Sequence, residues 1–310
     1  MAKHIPVLLN ECIESLNIQP DGIYVDGTVG LGGHSSEIVR HLTTGRLICI
    51  DRDETAIERS RERLKEWKDK ITFVHGNFCD VAAILKEMEI PKVNGMLFDL
   101  GVSSPQLDEG DRGFSYMTDA PLDMRMDRSD TLSAWLIVNK WPQEKLEYII
   151  KVYGEERYAR LIAAAVIRAR AEQTINTTGQ LVEIIKKAVP AAALREKQHP
   201  AKRTFQAIRI AVNDELGAVE KMMEEAPDLL APGGRLAVIS FHSLEDRIGK
   251  KGIQSRENGC TCPREAPICT CGFVQTLKSV NRKPITASEQ ELEENPRSRS
   301  AKLRVAERVG

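Results

Sequence analysis

The most informative stretch of the chain reads Val25-Asp26-Gly27-Thr28-Val29-Gly30-Leu31-Gly32-Gly33-His34. An apolar run, 23–25, leads into it, so the pattern predicts a β-strand, a glycine-rich turn and a helix that begins near His34. Four glycines within seven residues allow a tight turn and a close approach of the backbone to a ligand. The N–H groups of the helix N-terminus favour a nucleotide-like cofactor there. The alternative is a plain strand-to-helix turn without a ligand.

The glycine spacing bears on which cofactor would bind. The dinucleotide fingerprint is G-x-G-x-x-G, whereas the glycines here are Gly27, Gly30, Gly32 and Gly33. An acid, Asp26, directly precedes the first glycine. This arrangement resembles the first motif of S-adenosylmethionine-dependent methyltransferases, whose cofactor carries an ammonium group that suits a carboxylate.

Composition describes an ordinary water-soluble chain. It has 310 residues, 29% of them charged, and a formal net charge of −1. Apolar runs of about 18 residues and a signal peptide are both lacking, which predicts a cytoplasmic protein that does not enter a membrane. Three of the seven cysteines, Cys12, Cys49 and Cys79, are isolated and are expected to be reduced thiols.

Three predicted strands end in an acid. The apolar run 46–50 ends at Asp51, 19 residues after Gly32, where nucleotide-binding units place a ribose-binding carboxylate. The run 93–98 ends at Asp99, and Asp26 ends the first strand. Ligands of open parallel sheets bind at the carboxyl ends of the strands, so these acids predict one site. Phe78 follows a third strand, 71–75, where it could contact an adenine or form ordinary core.

The middle of the chain has a different character. Segment 108–130 is irregular, and 132–189 has helical periodicity with no predicted strand. The strand pattern returns at 235–241, after a predicted turn at Pro232-Gly233-Gly234. We therefore expect an α/β fold with an inserted α-helical domain, with a first part of the sheet domain at 1–107, the insertion at 108–203 and a second part at 204–310. Residues 110–209 carry 17 Lys and Arg against 12 Asp and Glu, which suits an anionic partner or a solvated helical surface.

Four further cysteines crowd into the tail as Cys260-x-Cys262-x6-Cys269-x-Cys271. Four thiols within 12 residues suit a structural zinc ion, although the pairs are tighter than the usual C-x2-C. Redox-prone or free thiols are the alternative. No residue is predicted to bind a catalytic metal.

Motifs along nearly the whole chain resemble the ribosomal small-subunit RNA methyltransferase H family, also called the MraW family. The matching stretches are HIPVLL (4–9), DGTVGLGGH (26–34), IDRD (50–53), DLGVSSPQ (99–106), RGFS (112–115), PLDMRMD (121–127), YGEER (153–157), TFQA (204–207), PGGR (232–235), SFHSLEDR (240–247) and NPRSRS (295–300). The four-cysteine segment departs from the family pattern.

This resemblance implies a class I, Rossmann-like methyltransferase that uses S-adenosylmethionine to methylate the N4 amine of a cytidine in the decoding region of 16S rRNA. It implies a cytoplasmic enzyme that acts on the small ribosomal subunit as a monomer or homodimer, with no membrane partner. Carried over residue by residue, it places cofactor contacts at these positions: Gly32, Gly33, His34, Asp51, Phe78, Asp99 and Gln106. They agree with the strand-end positions reached from the pattern.

The chemistry of the implied reaction needs a hydrogen-bond acceptor, because the lone pair of a cytosine N4 amine is delocalised into the ring. We expect Asp99, or the segment 103–105 including Ser104, to accept the N4–H and to orient the amine. The usual Asp/Asn/Ser-Pro-Pro-aromatic loop of amino-methyltransferases is replaced here by Ser104-Pro105-Gln106.

RNA binding is expected at a basic cluster of the inserted domain. Its members are Arg195, Lys197, Lys202 and Arg203, for which a solvated basic loop is the alternative.

Two other functions compete with this hypothesis. A nicotinamide-dependent dehydrogenase could use a similar fold, although the glycine spacing does not match. A non-catalytic RNA-binding or assembly protein could keep the cofactor fold and dock through a zinc-binding tail.

Overall fold

The protein was analysed as a computed structural model, which describes residues 5–102, 110–263 and 270–310. The chain forms two compact units. The first, here called the sheet unit, combines residues 1–101 with 216–310, and the second, the helical unit, spans 102–215. The second boundary therefore lies after Glu215 and not after Arg203, where the sequence placed it.

The described residues of the sheet unit form a seven-stranded sheet. Its strands are β1 (Ile23–Asp26), β2 (Arg46–Asp51), β3 (Ile71–His75), β4 (Val93–Asp99), β5 (Leu230–Ser240), β6 (Leu277–Ser279) and β7 (Lys302–Arg308). Their order is β3-β2-β1-β4-β5-β7-β6. The first five are parallel, whereas β7 runs antiparallel to both β5 and β6.

Helices cover both faces of this sheet. They are α1 (Leu9–Leu16), α2 (Gly33–Arg40), α3 (Glu54–Arg63), α4 (Val81–Glu87), α10 (Glu215–Glu225), α11 (Ser243–Glu257) and α12 (Glu289–Glu294). Successive strand residues point to opposite faces. Tyr24 therefore joins a core with Ile38 of α2, while its neighbour Val25 joins a second core with Leu85 of α4. A buried parallel sheet of this kind explains the near-continuous apolar runs in the sequence.

The three isolated cysteines differ in burial. Cys12 and Cys49 are fully buried, and burial raises the pKa of both thiols. Cys79 is half-buried.

The helical unit has its own apolar core. Its helices are α5 (Ala134–Lys140), α6 (Gln143–Val152), α7 (Ala159–Glu172), α8 (Thr178–Ala188) and α9 (Lys202–Asn213). The helix α9 belongs to this unit because Phe205, Ile208 and Val212 are buried in the same cluster as Ile149 and Ile162. The sequence predicts that residues 204–212 begin the second part of the sheet domain, but in the structure their apolar side chains pack on the other helices of the helical unit.

The ends of the predicted strands are accurate to within about two residues, except at β5. That strand begins at Leu230 and already includes Pro232 and Gly233. The chain nevertheless turns there, because Gly233 has φ of 77° and the paired residues advance from Leu230 to Arg235 on β5 while they advance only from Val93 to Gly95 on β4. The predicted turn is therefore present as a bulge inside β5. Among the described helices, none combines the length and the apolar character needed to cross a membrane.

Candidate cofactor site

The three strand-end acids lie side by side at the carboxyl edge of the sheet. Asp26 on β1 is in register with Cys49 of β2 and with Leu97 of β4. Asp51 and Asp99 end these two flanking strands. The structure thus brings together the acids that the sequence predicted to share one site, at the edge where open parallel sheets bind ligands.

Asp26 is directed into the protein. Its side chain accepts a hydrogen bond from the Ser35 hydroxyl at 2.6 Å and one from the Thr28 N–H at 3.2 Å. The residue is only 2% exposed, and burial raises its pKa to about 6. Asp26 therefore ties the glycine-rich turn to helix α2. The idea that this acid itself meets an ammonium group is not supported by its burial.

The glycines of the turn serve the packing of the protein as much as the approach of a ligand. Gly32 caps α2 in the left-handed region, with φ of 72°, which favours glycine. A Cβ on Gly33 would lie 2.3 Å from Cγ of Pro6, and a Cβ on Gly27 would lie 2.3 Å from the Phe98 ring. Around Gly30, by contrast, a Cβ would meet no heavy atom of the described residues closer than the Thr28 carbonyl oxygen at 3.9 Å.

Asp51 links the turn to the end of β2. Its Oδ2 accepts the N–H of Gly30 at 2.8 Å, and its Oδ1 accepts the N–H of Asp53 at 2.9 Å. Burial raises the pKa of this carboxyl to about 6, although both hydrogen bonds oppose the shift. Each carboxylate oxygen has two lone pairs. The half-buried side chain can therefore accept hydroxyl groups while it holds the turn.

Asp99 is the most perturbed carboxyl of the site. Burial, reinforced by the negative charges of Asp26 and Glu245, raises its pKa to about 8. Its Oδ1 is buried and has no hydrogen-bond partner among the described residues. The side chain as a whole is 25% exposed. A buried carboxyl without a protein partner is costly, and such groups mark candidate functional sites.

His34 faces this carboxyl. Its Nδ1 lies 3.8 Å from Oδ2 of Asp99, and its Nε2 lies 3.0 Å from the carbonyl oxygen of Val7. Because Nε2 must donate to that carbonyl, Nδ1 of a neutral ring is an acceptor. Burial lowers the pKa of His34 to about 4, which keeps the ring neutral at pH 7. When Asp99 is ionised, its Oδ2 and Nδ1 of His34 are two acceptors that face each other at a distance which one cation with several N–H groups can bridge.

Phe78 lies beside the glycine-rich turn. It begins a short 3-10 turn after β3, Phe78–Asp80, and its ring packs on Phe98 with centroids 5.8 Å apart. Its Cβ would be 3.2 Å from a Cβ on Gly27. The half-buried ring therefore belongs to the same edge of the sheet as the three acids, and is also part of the core.

The structure adds a pair that the sequence analysis did not assign. His242 and Glu245 follow β5, the parallel neighbour of β4. The N-cap of α11 is His242, although the serine that follows it, Ser243, is the residue type that sequence alone would predict for this position. Its Nε2 lies 3.1 Å from Oε1 of Glu245, which is 1% exposed. The signal available in the sequence was an ionisable pair directly after a strand, as at Asp51 and Asp99.

The basic residues predicted to bind RNA lie on the surface of the helical unit. Arg195, Lys197, Lys202 and Arg203 are all exposed. Nearby in the sequence, His199 stacks on Tyr116 with ring centroids 4.8 Å apart and an interplanar angle of 12°. Two other predicted site residues, Ser104 and Gln106, lie outside the described residues.

The strand order and the acid-lined edge define the class of protein. A parallel sheet ordered β3-β2-β1-β4-β5-β7-β6, with β7 antiparallel, is the sheet of class I, Rossmann-like methyltransferases.

Comparison with known proteins identifies the family. The model of the MraW methylase family matches residues 1–309, and the chain belongs to this family. It is 56% identical over 307 residues to a ribosomal RNA small subunit methyltransferase H of Brevibacillus brevis, covering 99% of this chain and 98% of that protein. It is 53% identical over 307 residues to the enzyme of the same name from Clostridioides difficile, covering 99% of each. The protein is therefore a methyltransferase, and a nicotinamide-dependent dehydrogenase is excluded.

Solved structures also resemble this chain. An rRNA methylase from Streptococcus thermophilus covers 97% of it and 94% of its own length, at 11% identity and a TM-score of 0.42. At this TM-score the similarity adds nothing to the fold, which the strand order already defines.

Proposed function

We propose that the protein transfers a methyl group from S-adenosylmethionine to the N4 amine of a cytidine in the decoding region of 16S rRNA. Membership of the MraW methylase family and the names of its relatives support methylation of small-subunit ribosomal RNA. The decoding-region cytidine and its N4 atom come from the resemblance of the motifs. The proposal includes a cytoplasmic location, the small ribosomal subunit as the partner, and a protein that is a monomer or homodimer.

One observation carries the cofactor assignment, namely the facing acceptors of Asp99 and His34. A cation at this point would donate hydrogen bonds to Oδ2 of Asp99 and to Nδ1 of His34, which lie 3.8 Å apart. S-adenosylmethionine ends in an amino acid whose ammonium group has that chemistry. Its arrival would favour the charged form of a carboxyl that the protein alone keeps protonated at pH 7.

The other residues of the edge suit the rest of the same molecule. Asp51 has acceptor capacity left for ribose hydroxyls, and Phe78 offers a half-buried aromatic surface for adenine. Gly33 is the first residue of α2, so its backbone N–H lies at the positive end of a helix, whereas the N–H of the N-cap residue Gly32 donates to the carbonyl oxygen of Val29 at 2.7 Å. Together these donors and acceptors fit S-adenosylmethionine.

The cofactor supplies an electrophilic methyl group on a sulfonium, and the residues of the chain position the nucleophile. An acceptor for the N4–H groups would favour a pyramidal nitrogen and direct its lone pair toward the methyl group. Asp99 can take this role in its charged form, and Ser104 is the second candidate. The two are distinguishable, because Asp99→Asn should weaken cofactor binding as well as turnover, whereas Ser104→Ala should lower turnover alone.

In this proposal, the exposed cations of the helical unit bind the RNA. Arg195, Lys197, Lys202 and Arg203 would neutralise phosphates, and each contact releases counterions. A cytidine that reacts at N4 must leave its base stack to reach a protein pocket. Phosphate contacts position the RNA for this step without reading its sequence.

The experiment that tests the proposal is a methyl-transfer assay. Small ribosomal subunits from cells that lack this enzyme are incubated with the protein and labelled S-adenosylmethionine, and the rRNA is digested to nucleosides for mass analysis. We expect the label in N4-methylated cytidine. Label in a different nucleoside would overturn the substrate. A protein that binds the cofactor but transfers no label would instead support a non-catalytic RNA-binding role.

A further inference from the structure

Three tail cysteines bring their sulfur atoms together beyond the end of α11. The Sγ atoms of Cys260, Cys262 and Cys271 all lie within 4.8 Å of one another, and those of Cys260 and Cys271 are 3.5 Å apart. Zinc binds thiolate sulfur at about 2.3 Å, which puts the sulfurs of a tetrahedral site about 3.8 Å apart. A disulfide bond would need a separation of about 2.05 Å. The observed spacing is that of a metal site.

At the base of this loop, the backbone packs closely against the end of α11 and against the returning chain. A Cβ on Gly259 would lie 2.1 Å from the Ser255 carbonyl oxygen and 2.7 Å from the Phe273 ring. The N–H of Thr276 donates to the carbonyl oxygen of Arg256 at 3.0 Å. The two arms of the cysteine loop therefore meet at the C-terminal end of α11, and the sulfurs converge beyond that junction.

Thr270 fixes the position of one of the sulfur atoms. The N–H of Thr270 donates to Sγ of Cys262 at 3.2 Å, and the Thr270 hydroxyl lies 3.6 Å from the same sulfur. Backbone N–H groups that donate to metal-bound sulfur orient the ligand and compensate its charge.

We propose that Cys260, Cys262 and Cys271 bind a zinc ion that fastens the loop between α11 and β6. The Zn²⁺ ion displaces the proton of each thiol and forms a Zn–S bond in its place, so protons are released and no electrons are transferred. Soft thiolate ligands select zinc over magnesium or calcium. Cys269, the fourth cysteine of the tail, lies outside the described residues, and the proposal does not depend on it.

The role of this zinc is structural and separate from methyl transfer. None of the three ligands is among the residues assigned to the cofactor or the RNA. The ion would take the place of apolar packing in a loop whose two end cysteines, Cys260 and Cys271, are exposed. Metal binding of this kind contributes directly to the folding of the segment that it holds.

The test is the metal content of the full-length protein, purified with a thiol reductant and without chelator. We expect about one zinc ion per chain by elemental analysis. After exchange with Co²⁺, we expect the sulfur-to-cobalt charge-transfer band and the d–d bands of a tetrahedral thiolate site. In the double variant Cys260→Ser/Cys271→Ser, the amount of zinc bound per chain should fall about tenfold or more. The control Cys79→Ser, which removes a thiol elsewhere, should keep it.

Three results would overturn the proposal. One is wild-type protein without zinc that also fails to bind Co²⁺ after reduction. Another is full retention of the metal by the double variant. The third is a disulfide between Cys260 and Cys271 that persists in reductant and prevents metal binding. The cobalt spectrum of the wild-type protein decides the matter even if the double variant does not fold.

Discussion

The carboxyl groups at the edge of the sheet and those of the helical unit have pKa values that are shifted in opposite directions. At the cofactor edge of the sheet unit, burial raises the pKa of Asp26 and Asp51 to about 6 and that of Asp99 to about 8. In the helical unit, hydrogen bonds from Thr177 and Gly179 lower the pKa of Asp119. Burial alone would raise the pKa of Asp123, but hydrogen bonds from Arg125 outweigh it and the pKa is lowered.

This difference separates groups that stabilise the fold from groups that are held ready for a ligand. A carboxylate with a lowered pKa is already satisfied by the protein, so folding gains from its charge. A carboxyl with a raised pKa costs stability when it ionises. At Asp99, where Oδ1 also has no hydrogen-bond partner among the described residues, such a shift is typical of a functional site. The contrast also holds within the sheet unit. Away from the site, Asp246 is paired with Arg304 at 2.7 Å and its pKa is lowered although burial opposes the shift.

The largest effect is expected from Asp99→Asn. This near-isosteric change removes the charge that would hold the cofactor cation or the substrate amine, so methyl transfer should fall by about 100-fold or more. The measurement is single-turnover methyl transfer to small subunits. The matched control Asp119→Asn, the same chemical change in the helical unit, should stay within about twofold. Equal losses of methyl transfer in the two variants would show that Asp99 is no more important for the reaction than Asp119.

A smaller effect is expected from Asp51→Asn. The amide can accept only through one oxygen, while the wild-type carboxylate accepts N–H groups of Gly30 and Asp53 and has capacity for ribose. The affinity for S-adenosylhomocysteine should fall about 10- to 100-fold, as measured by calorimetry. Circular dichroism checks that the variant is folded. Unchanged affinity would remove Asp51 from the cofactor site.

Charge reversal on the helical unit should weaken RNA binding about tenfold. In Lys197→Glu/Lys202→Glu, lost phosphate contacts should also reduce the slope of log affinity against log salt by about one per contact. The binding of S-adenosylhomocysteine should not change. Lys68→Glu, an exposed charge reversal in the sheet unit, serves as the control. RNA affinity that falls equally in control and double variant would indicate only a net-charge effect.

The smallest effect concerns stability against pH. The folded-state pKa of Asp99 is raised to about 8 from its usual 3.8, so the folded protein holds this proton after the unfolded chain has lost it. The contribution of Asp99 to the stability of the ligand-free protein should therefore decline as the pH rises from about 4 to 8 and level off above that. In Asp99→Asn this contribution should be absent, as measured by urea unfolding of both proteins at a series of pH values. Parallel curves would show that Asp99 titrates normally.

Much of the sheet unit could be predicted from the sequence because each strand is an apolar run that ends in a recognisable residue. Asp51 and Asp99 end β2 and β4, as predicted, and the structure brings them to the same edge of the sheet. The role of Asp26 could not be predicted, since its partner Ser35 becomes apparent only when α2 packs on the sheet. The capping role of His242 was missed for a similar reason, because it depends on contacts with Glu245.

The helical unit was predicted less completely. Periodicity predicts that a helix exists but not which core receives its apolar face, and α9 was therefore assigned to the wrong side of a boundary. The glycine-rich turn gives a third example. Its glycines were predicted to admit a ligand, whereas Gly33 fits against Pro6, a residue far from it in sequence.

The most direct test of the account measures proton release when S-adenosylhomocysteine, which has the same amino-acid end, binds. Calorimetric titrations at pH 7 in buffers of different ionisation enthalpy give the number of protons exchanged. A cationic group bound beside Asp99 favours the carboxylate form, so the proton of the neutral carboxyl is released to the buffer. We predict release of about one proton in the wild-type protein and almost none in Asp99→Asn. Binding without proton release, or equal release in both proteins, would contradict the assignment of Asp99 as the carboxyl held for the cofactor.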